Sequence, residues 1–296
     1  MTVYLGKNPV GIGRIVEKQV AKKKFGATVD TFLGDVDANG LLQTPAEQAV
    51  INLEGVTRVA STVFQRKFQF SNVISFNADD IEYLTSTYCC DNAFRDCTQL
   101  KTMSMSKIKT INASYACNEM FINCSNLETG NLGNLTDIQS GYACASMFNN
   151  CSKLTTIVGL NKIKIISGGN AADKMFYKTN INIANLSSLE TISGYRACYY
   201  MFAECTNLAS IILDNLQTIT GSEALYRLLY NTKITTLSFP SLTSITSANA
   251  IQYMCSGCTT ITEIHFRADI QATIEALTGY SSKFGAPSTC TIYFDL

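Results

Sequence analysis

One histidine, His265, serves a chain of 296 residues. That scarcity excludes a metal centre built on imidazoles and leaves Ser-His or Cys-His chemistry without a well-placed base. His265 lies beside the C-terminal segment, where a structural role suits it. No convergent acid pair or activated nucleophile stands out elsewhere, so the sequence carries no enzyme signature. Charge is scarce as well: 16% of residues are charged, 23 basic against 23 acidic. No global field is therefore available to draw nucleic acid or an anionic membrane. The run Lys22-Lys23-Lys24 is local and reads as a solvated face. No apolar stretch has the unbroken length of a membrane span, and Met1 to Phe25 lacks the hydrophobic core of a secretory signal. The expectation is a chain made in the cytosol, with exit by lysis, in a virion or through a trimmed signal left open. Zinc-type cysteine pairs are missing except for Cys255-x-x-Cys258, which has no second half. Val10-Gly11-Ile12-Gly13 is followed by no P-loop Lys-Ser/Thr and reads as turn punctuation.

What the chain has is repetition. Apolar residues make up 46% of it, enough for a continuous core. The phrase Ala143-Cys144-Ala145-Ser146-Met147-Phe148-Asn149-Asn150-Cys151-Ser152-Lys153-Leu154 recurs from Ala116 to Leu127 and from Ala197 to Leu208. Degenerate copies run Cys89 to Leu100, Ala171 to Ile181, Ala224 to Ile234 and Ala250 to Ile261. The residue at the centre of each copy sets the register: Phe68, Phe94, Phe121, Phe148, Phe176, Phe202, Leu229 and Cys255. Successive spacings are 26, 27, 27, 28, 26, 27 and 26 residues, and a period this steady predicts a solenoid.

Within one unit, Ala143, Met147 and Cys151 fall at i, i+4 and i+8, and Cys144 and Phe148 at i and i+4. Those offsets predict an apolar stripe on a helix of two to three turns. Leu154, Ile157, Leu160, Ile163 and Ile166 then predict two short strands. The expected fold is an α/β solenoid: a leucine-rich-repeat-like right-handed coil of about eight to nine turns, each a short helix plus short parallel strands, with caps at both ends. Stacking at about 4.8 Å per turn gives a rod on the order of 40 Å long. The expected divisions are residues 1–50 as an N-terminal cap or attachment region, 51–266 as the solenoid and 267–296 as a C-terminal cap. In that last part Ile270, Ile274 and Leu277 share a helix face, and Thr291 to Phe294 form a final strand.

Several rows emerge once the copies are aligned. Cys90, Cys117, Cys144 and Cys198 form one cysteine ladder; Cys97, Cys124, Cys151, Cys205 and Cys258 form another. Pairs seven residues apart on a helix are too distant for a disulfide, so the expectation is buried free thiols. Where the second ladder carries Ser71, Thr179 or Thr232, the step to the next core aliphatic is one residue shorter. A hydroxyl bonded to local backbone would allow that tighter turn. Thr102, Thr129, Thr156, Ser210 and Thr236 form an outward strand row, and Thr110, Thr191 and Thr218 a second one. Tyr88, Tyr115, Tyr142 and Tyr195 read as a row at the helix starts, with Tyr199, Tyr200, Tyr226 and Tyr230 nearby. Tyrosine is prone to interfaces, so Tyr88, Tyr115, Tyr142, Tyr195 and Tyr199 are the candidate binding residues. Near the N-terminus, Asp35-x-Asp37-x-Asn39-Gly40 matches the opening of an EF-hand calcium loop. The closing bidentate Glu is missing: Ala46 holds its place and Glu47 comes one late, which favours a plain Asn-Gly turn. No other cofactor is expected. Thr44-Pro45-Ala46-Glu47 offers a helix N-cap.

The pattern Ala-x-x-x-Met-Phe-x-x-Cys-x-x-Leu-x-x-Ile, as in Ala197 to Ile211, resembles the BspA-type leucine-rich repeat over about residues 51–266, with a period a few residues longer. The resemblance implies a non-enzymatic module for adhesion or receptor recognition, since families of this type are often bacterial surface proteins that bind host proteins. The expected partner is a protein or glycan on another cell or particle. The N-terminal region and the cap are similar to repeat proteins of gut bacterial and prophage genomes, which implies a virion-associated adhesin as a second setting. A structural component of a phage particle or cell envelope is the alternative.

Overall fold

The computed structural model describes residues 28–29, 49–53 and 55–296. Val10–Gly13, Lys22–Lys24, the Asp35, Asp37 and Asn39 loop and the Thr44 cap lie outside the described residues. The chain winds as a parallel β-solenoid of about nine coils. One wall is a nine-stranded parallel sheet of two-residue strands. It runs Thr28–Val29, Arg58–Val59, Tyr83–Leu84, Thr110–Ile111, Asp137–Ile138, Ile165–Ile166, Thr191–Ile192, Thr218–Ile219 and Ser244–Ile245. The second wall is segmented. Ala49–Asn52, Val73–Asn77, Thr102–Ser104, Thr129–Asn131 and Thr156–Val158 make five strands; Ile183–Asn185 and Ser210–Ile212 make two; Thr236–Phe239, Glu263–Phe266 and Thr291–Phe294 make three. The expected threonine rows are in register, Thr102 beside Thr129 and Thr129 beside Thr156 on one wall, Thr191 beside Thr218 on the other.

The third wall corrects the helical expectation. From Tyr142 to Cys151 the chain forms no helix but a ribbon of tight turns. Every second N–H donates three residues back: Ala143 to Ser140, Ala145 to Tyr142, Met147 to Cys144, Asn149 to Ser146 and Cys151 to Phe148. The N–H groups between them donate to the next coil: Tyr142 to Gly169, Cys144 to Ala171, Ser146 to Asp173, Phe148 to Met175 and Asn150 to Tyr177. A helix would use all its interior N–H groups internally, and stacked helices would gain no backbone bonds between coils. The ribbon satisfies the same groups and joins the coils as a sheet does.

Its geometry requires a left-handed residue every fourth position: Tyr142, Ser146 and Asn150 have φ of 55°, 52° and 61°. A strict period of four keeps Ala143, Met147 and Cys151 on the inner side as a helix would, so the apolar offsets alone do not distinguish the two. Asparagine and aspartate tolerate this conformation, and they recur just before the second cysteine ladder as Asp96, Asn123, Asn150 and Asn231. These side chains also bond along the axis: Asn123 Nδ2 to Asp96 at 2.8 Å, Asn150 Nδ2 to Asn123 at 3.0 Å and Asn231 Nδ2 to Glu204 at 2.8 Å.

The core is a column. Phe68, Phe94, Phe121, Phe148, Phe176 and Phe202 are all buried, their ring centroids 4.7 to 5.5 Å apart along the axis. The twelve cysteines are buried and free. Thiols of the second ladder donate to the phenylalanine carbonyl one coil back: Cys97 to Phe68 at 2.9 Å, Cys124 to Phe94 and Cys151 to Phe121 at 3.1 Å, and Cys205 to Phe176 at 3.0 Å. Thr179 and Thr232 instead donate within their own coil, to Phe176 and Leu229 carbonyls, each at 2.9 Å. The local hydroxyl bond expected from the shorter turns is therefore present at both threonines. The Ser71 hydroxyl meets Cys97 Sγ at 3.3 Å.

At the C-terminal end, the short helix Gln271–Glu275 and its flanking turns close the core, with Ile270, Ile274, Leu277 and Phe284 buried. The last strand is pinned by His265, whose Nδ1 lies 2.9 Å from Asp295 and whose Nε2 lies 3.4 Å from Glu263. Its ring stacks on Tyr293 at 4.9 Å. Partial burial pulls its pKa down, but hydrogen bonds and charge from Asp295 and Glu263 outweigh this and leave it raised.

Coils approach so closely that some positions admit no side chain. A Cβ on Gly194 would lie 2.1 Å from the Gly168 carbonyl oxygen, and one on Gly168 equally near that of Ser140. Gly194→Ala is expected to lower the unfolding free energy by about 1–3 kcal/mol by forcing coils apart; Phe148→Ala, which empties one rung of the column, by about 3–5 kcal/mol. Urea titration of both variants checks the order. The His265 clasp stabilises fully below its ordinary value near 6.5, and the gain is lost as pH rises through the raised folded value. Thermal melts from pH 6 to 9 are expected to show that decline, and His265→Gln to flatten it.

Candidate functional site

The outer side of the turn ribbon carries the candidate residues. Tyr88, Tyr115 and Tyr142 occupy one position in three successive coils and stack at 4.8 Å for each pair. Tyr88 and Tyr142 are exposed. The stack stops there: Asn170 and then Arg196 take that place in the following coils. Tyr195 precedes the shared position by one residue, because its N-terminal neighbours align with Gly168 and its own carbonyl accepts the Asn170 N–H at 2.8 Å. It is 49% exposed, and its ring lies under Arg196 at 5.0 Å. The four-tyrosine row expected from the sequence is therefore a stack of three with Tyr195 displaced from it.

Tyr199 belongs to a second cluster. It stacks on Tyr226 at 5.1 Å and meets Tyr200 at 4.6 Å. Arg196 lies over Tyr199 at 4.7 Å and pairs with Glu223 at 2.7 Å. At the cluster's centre is Arg227, with Tyr200, Tyr226, Tyr230 and Tyr253 rings 5.3 to 5.7 Å from its guanidinium. Its Nη1 donates to Tyr200 Oη at 2.5 Å. Lys174 approaches the same rings, and Lys178 lies over Tyr177 at 5.2 Å. Each such cation–ring contact contributes roughly 0.5–1 kcal/mol at exposed sites. Neither Arg196 nor Arg227 was singled out in the sequence. Counting back from the central Phe places Lys174, Tyr200, Arg227 and Tyr253 in one slot, and that alignment is the signal that finds them.

The polar groups of the two halves are satisfied differently. In the first half, buried Asp91 accepts from Asn118 Nδ2 at 2.8 Å, Asn92 Nδ2 at 2.9 Å and Gln65 Nε2 at 3.3 Å, bridging three coils. In the second, Asp173 Oδ1 and Arg227 Nε are buried without a hydrogen-bond partner, and they are the two such side-chain atoms among the described residues. Burial pushes the Asp173 carboxyl up to about 6, against the pull of Lys174 and Arg196. The nearest cation, Lys174 Nζ, is 4.0 Å away. Among the described residues, no three His, Cys, Asp or Glu side chains are grouped to hold a metal ion, and no helix is long and apolar enough to cross a membrane. Burial also raises the thiol pKa values, Cys97 and Cys205 to about 11, so at neutral pH these cysteines are protonated and chemically quiet.

Six copies of the BspA type leucine-rich repeat region match residues 50–144 and 170–278, more than half of the chain. The chain belongs to that family. No curated protein matches it in sequence. Among solved structures, a leucine-rich repeat protein from Bacteroides ovatus ATCC 8483 is 21% identical with a TM-score of 0.30; the match covers 66% of this chain and 57% of that one. A leucine-rich cell surface protein from Faecalibacterium prausnitzii A2-165 is 16% identical, with 78% of this chain and 80% of that one covered and a TM-score of 0.33. A chain of the Drosophila Toll–Spätzle complex is 17% identical, covering 74% of this chain and 26% of its own length, with a TM-score of 0.41.

The Asp173 carboxylate is a cost that the fold carries at neutral pH. Because its folded pKa is raised, the native state gains stability as pH falls from about 6 toward the ordinary carboxylate value. Asp173→Asn is expected to raise stability at pH 7 by on the order of 1–3 kcal/mol and to flatten the pH dependence between 4 and 6. Denaturant titration at a series of pH values reads both.

Proposed function

We propose that this BspA type repeat chain is a non-enzymatic binding module, used in adhesion or receptor recognition, and that its turn ribbon is the face that engages a protein or glycan partner. The observation that carries this reading is the contrast between a column of buried residues repeated coil after coil and an outer ribbon that gathers exposed tyrosines and cations on one wall. The two strand walls offer many Thr, Ser and Asn outward, with Tyr83, Val158, Ile183 and Tyr293 exposed among them. The tyrosines of the ribbon combine large contact area, few rotatable bonds and a hydroxyl, which suits them to interfaces.

The test is binding of the purified chain to immobilised host-matrix proteins and to glycan arrays. Tyr142→Ser combined with Tyr195→Ser is expected to weaken binding at least tenfold while the thermal transition stays in place. Undiminished binding by that variant would move the contact surface to another wall. Absence of any partner, together with incorporation into phage particles, would favour the structural alternative.

A further inference from the structure

The second tyrosine cluster differs from the first in chemistry as well as in position. Among the described residues no cation lies over the Tyr88–Tyr115–Tyr142 stack, whereas Lys174, Lys178, Arg196 and Arg227 on the ribbon of the later coils each lie against a phenol ring. We infer that the ribbon from Lys174 to Arg227 is a binding site for an anionic glycan, one bearing carboxylate or sulfate groups on its sugars. This rests on the reading of the ribbon as the binding wall and names the ligand class.

The first argument is the donor and acceptor inventory. Arg227 and Lys178 have no carboxylate within ion-pair distance among the described residues; tyrosine rings hold them instead. A ring face orients a cation without neutralising its charge, so these groups stay available to an anion. Tyr200 Oη accepts from Arg227, which leaves its own O–H free to donate outward. Beside its own acids, Glu223 bound to Arg196 and Asp173 near Lys174, the cluster keeps the cations Arg227 and Lys178 without a carboxylate partner, and an acceptor-rich partner complements those.

The second argument is spatial. Rings in the same slot of adjacent coils stand face to face, as Tyr199 and Tyr226 do at 5.1 Å, so their edges and hydroxyls point outward in a line along the axis. Donors repeat once per coil, roughly every 4.8 Å. An extended acidic peptide offers side chains on one side only about every 6.6 Å, out of step with the coils. A sugar residue is about as long as one coil is thick, so a chain with one acidic group per residue keeps step. The third argument is local strain. The two buried polar atoms left without partners, on Asp173 and Arg227, belong to this cluster, whereas the network around Asp91 in the first half is complete. Polar groups left unpaired in an otherwise well-satisfied fold mark places shaped by something besides stability.

The experiment uses the full chain, titrated calorimetrically with heparin as the sulfated probe, polygalacturonate as the carboxylated probe, neutral galactan, and poly-L-glutamate. Binding to heparin or polygalacturonate is expected, weakening as salt rises, with the better of the two fixing the acidic group. Arg227→Gln is expected to weaken it at least tenfold. Lys178→Gln, at an exposed position, is expected to weaken it several-fold without touching the packing around Arg227, and Thr129→Ser, at an exposed position on a strand wall, is expected to leave it unchanged. Poly-L-glutamate binding as tightly as the glycans, or glycan binding that neither Arg227→Gln nor Lys178→Gln diminishes, overturns the assignment. If the chain binds only a neutral glycan or a protein, and Tyr142→Ser with Tyr195→Ser removes that binding, the anionic site is wrong while the ribbon stands as the binding wall.

Discussion

Everything in this fold depends on how the turn ribbon divides its backbone N–H groups, one inward to the residue three before it and the next across to the neighbouring coil. A buried N–H without a partner is costly, and helices in coils of 26 to 28 residues would leave successive backbones unjoined on that wall. Alternation solves both problems. It requires a left-handed residue every fourth place, fixes a four-residue period for the buried side chains, and brings backbones close enough that Gly168, Gly194 and Gly221 cannot be replaced without moving a coil. The phenylalanine column follows, because coils locked by backbone bonds on three walls repeat at one spacing and place identical rings face to face.

The same division explains what could be read in the sequence and what could not. The number of coils, the register through Phe94, Phe121 and Phe148, the burial of Ala143, Met147, Cys151 and Leu154, and the short strands at Thr156–Val158 and Ile165–Ile166 all follow from the spacing of apolar residues. The ribbon did not, because offsets of four satisfy a helix nearly as well as a run of turns. The clue is polar: Asn or Asp before Cys97, Cys124, Cys151 and Thr232, where a helix has no use for them. Tyr195 went astray for a related reason. Residue type alone sets Tyr195 beside Tyr142, whereas the Phe202 register places Arg196 in the Tyr142 slot. Arg227 has no meaning in the sequence until Tyr200 and Tyr253, from the coils on either side, join Tyr226 and Tyr230 of its own coil around it.

The cysteines, which dominate the motif, turn out to serve the backbone. Each second-ladder thiol reaches one coil back to the carbonyl of the central residue, a phenylalanine for four of them and Leu229 for Cys258, adding a weak donor where the ribbon has already spent its N–H groups. Threonine at the same place donates instead within its own coil and permits the shorter step to Ile181 and Ile234. Buried thiols with raised pKa values have neither the exposure nor the thiolate character that redox or nucleophilic roles require.

A repeat that fixes its inner residues so completely leaves variation to the outer slots of the ribbon, and the two halves of the chain have used that freedom differently. From Tyr88 to Asn150 those slots hold stacked phenols and amide–carboxylate ladders whose bonds are closed within the protein. From Lys174 to Tyr253 they hold rings and cations whose bonds are only partly closed, with Asp173 and Arg227 each keeping a buried atom unpaired. A solenoid held together coil by coil through its backbone can carry such a patch, since the loss is confined to neighbouring coils while the rest of the column remains in place. The stability supplied by the repeat is thus what allows an incompletely satisfied surface to persist on one part of an otherwise regular rod.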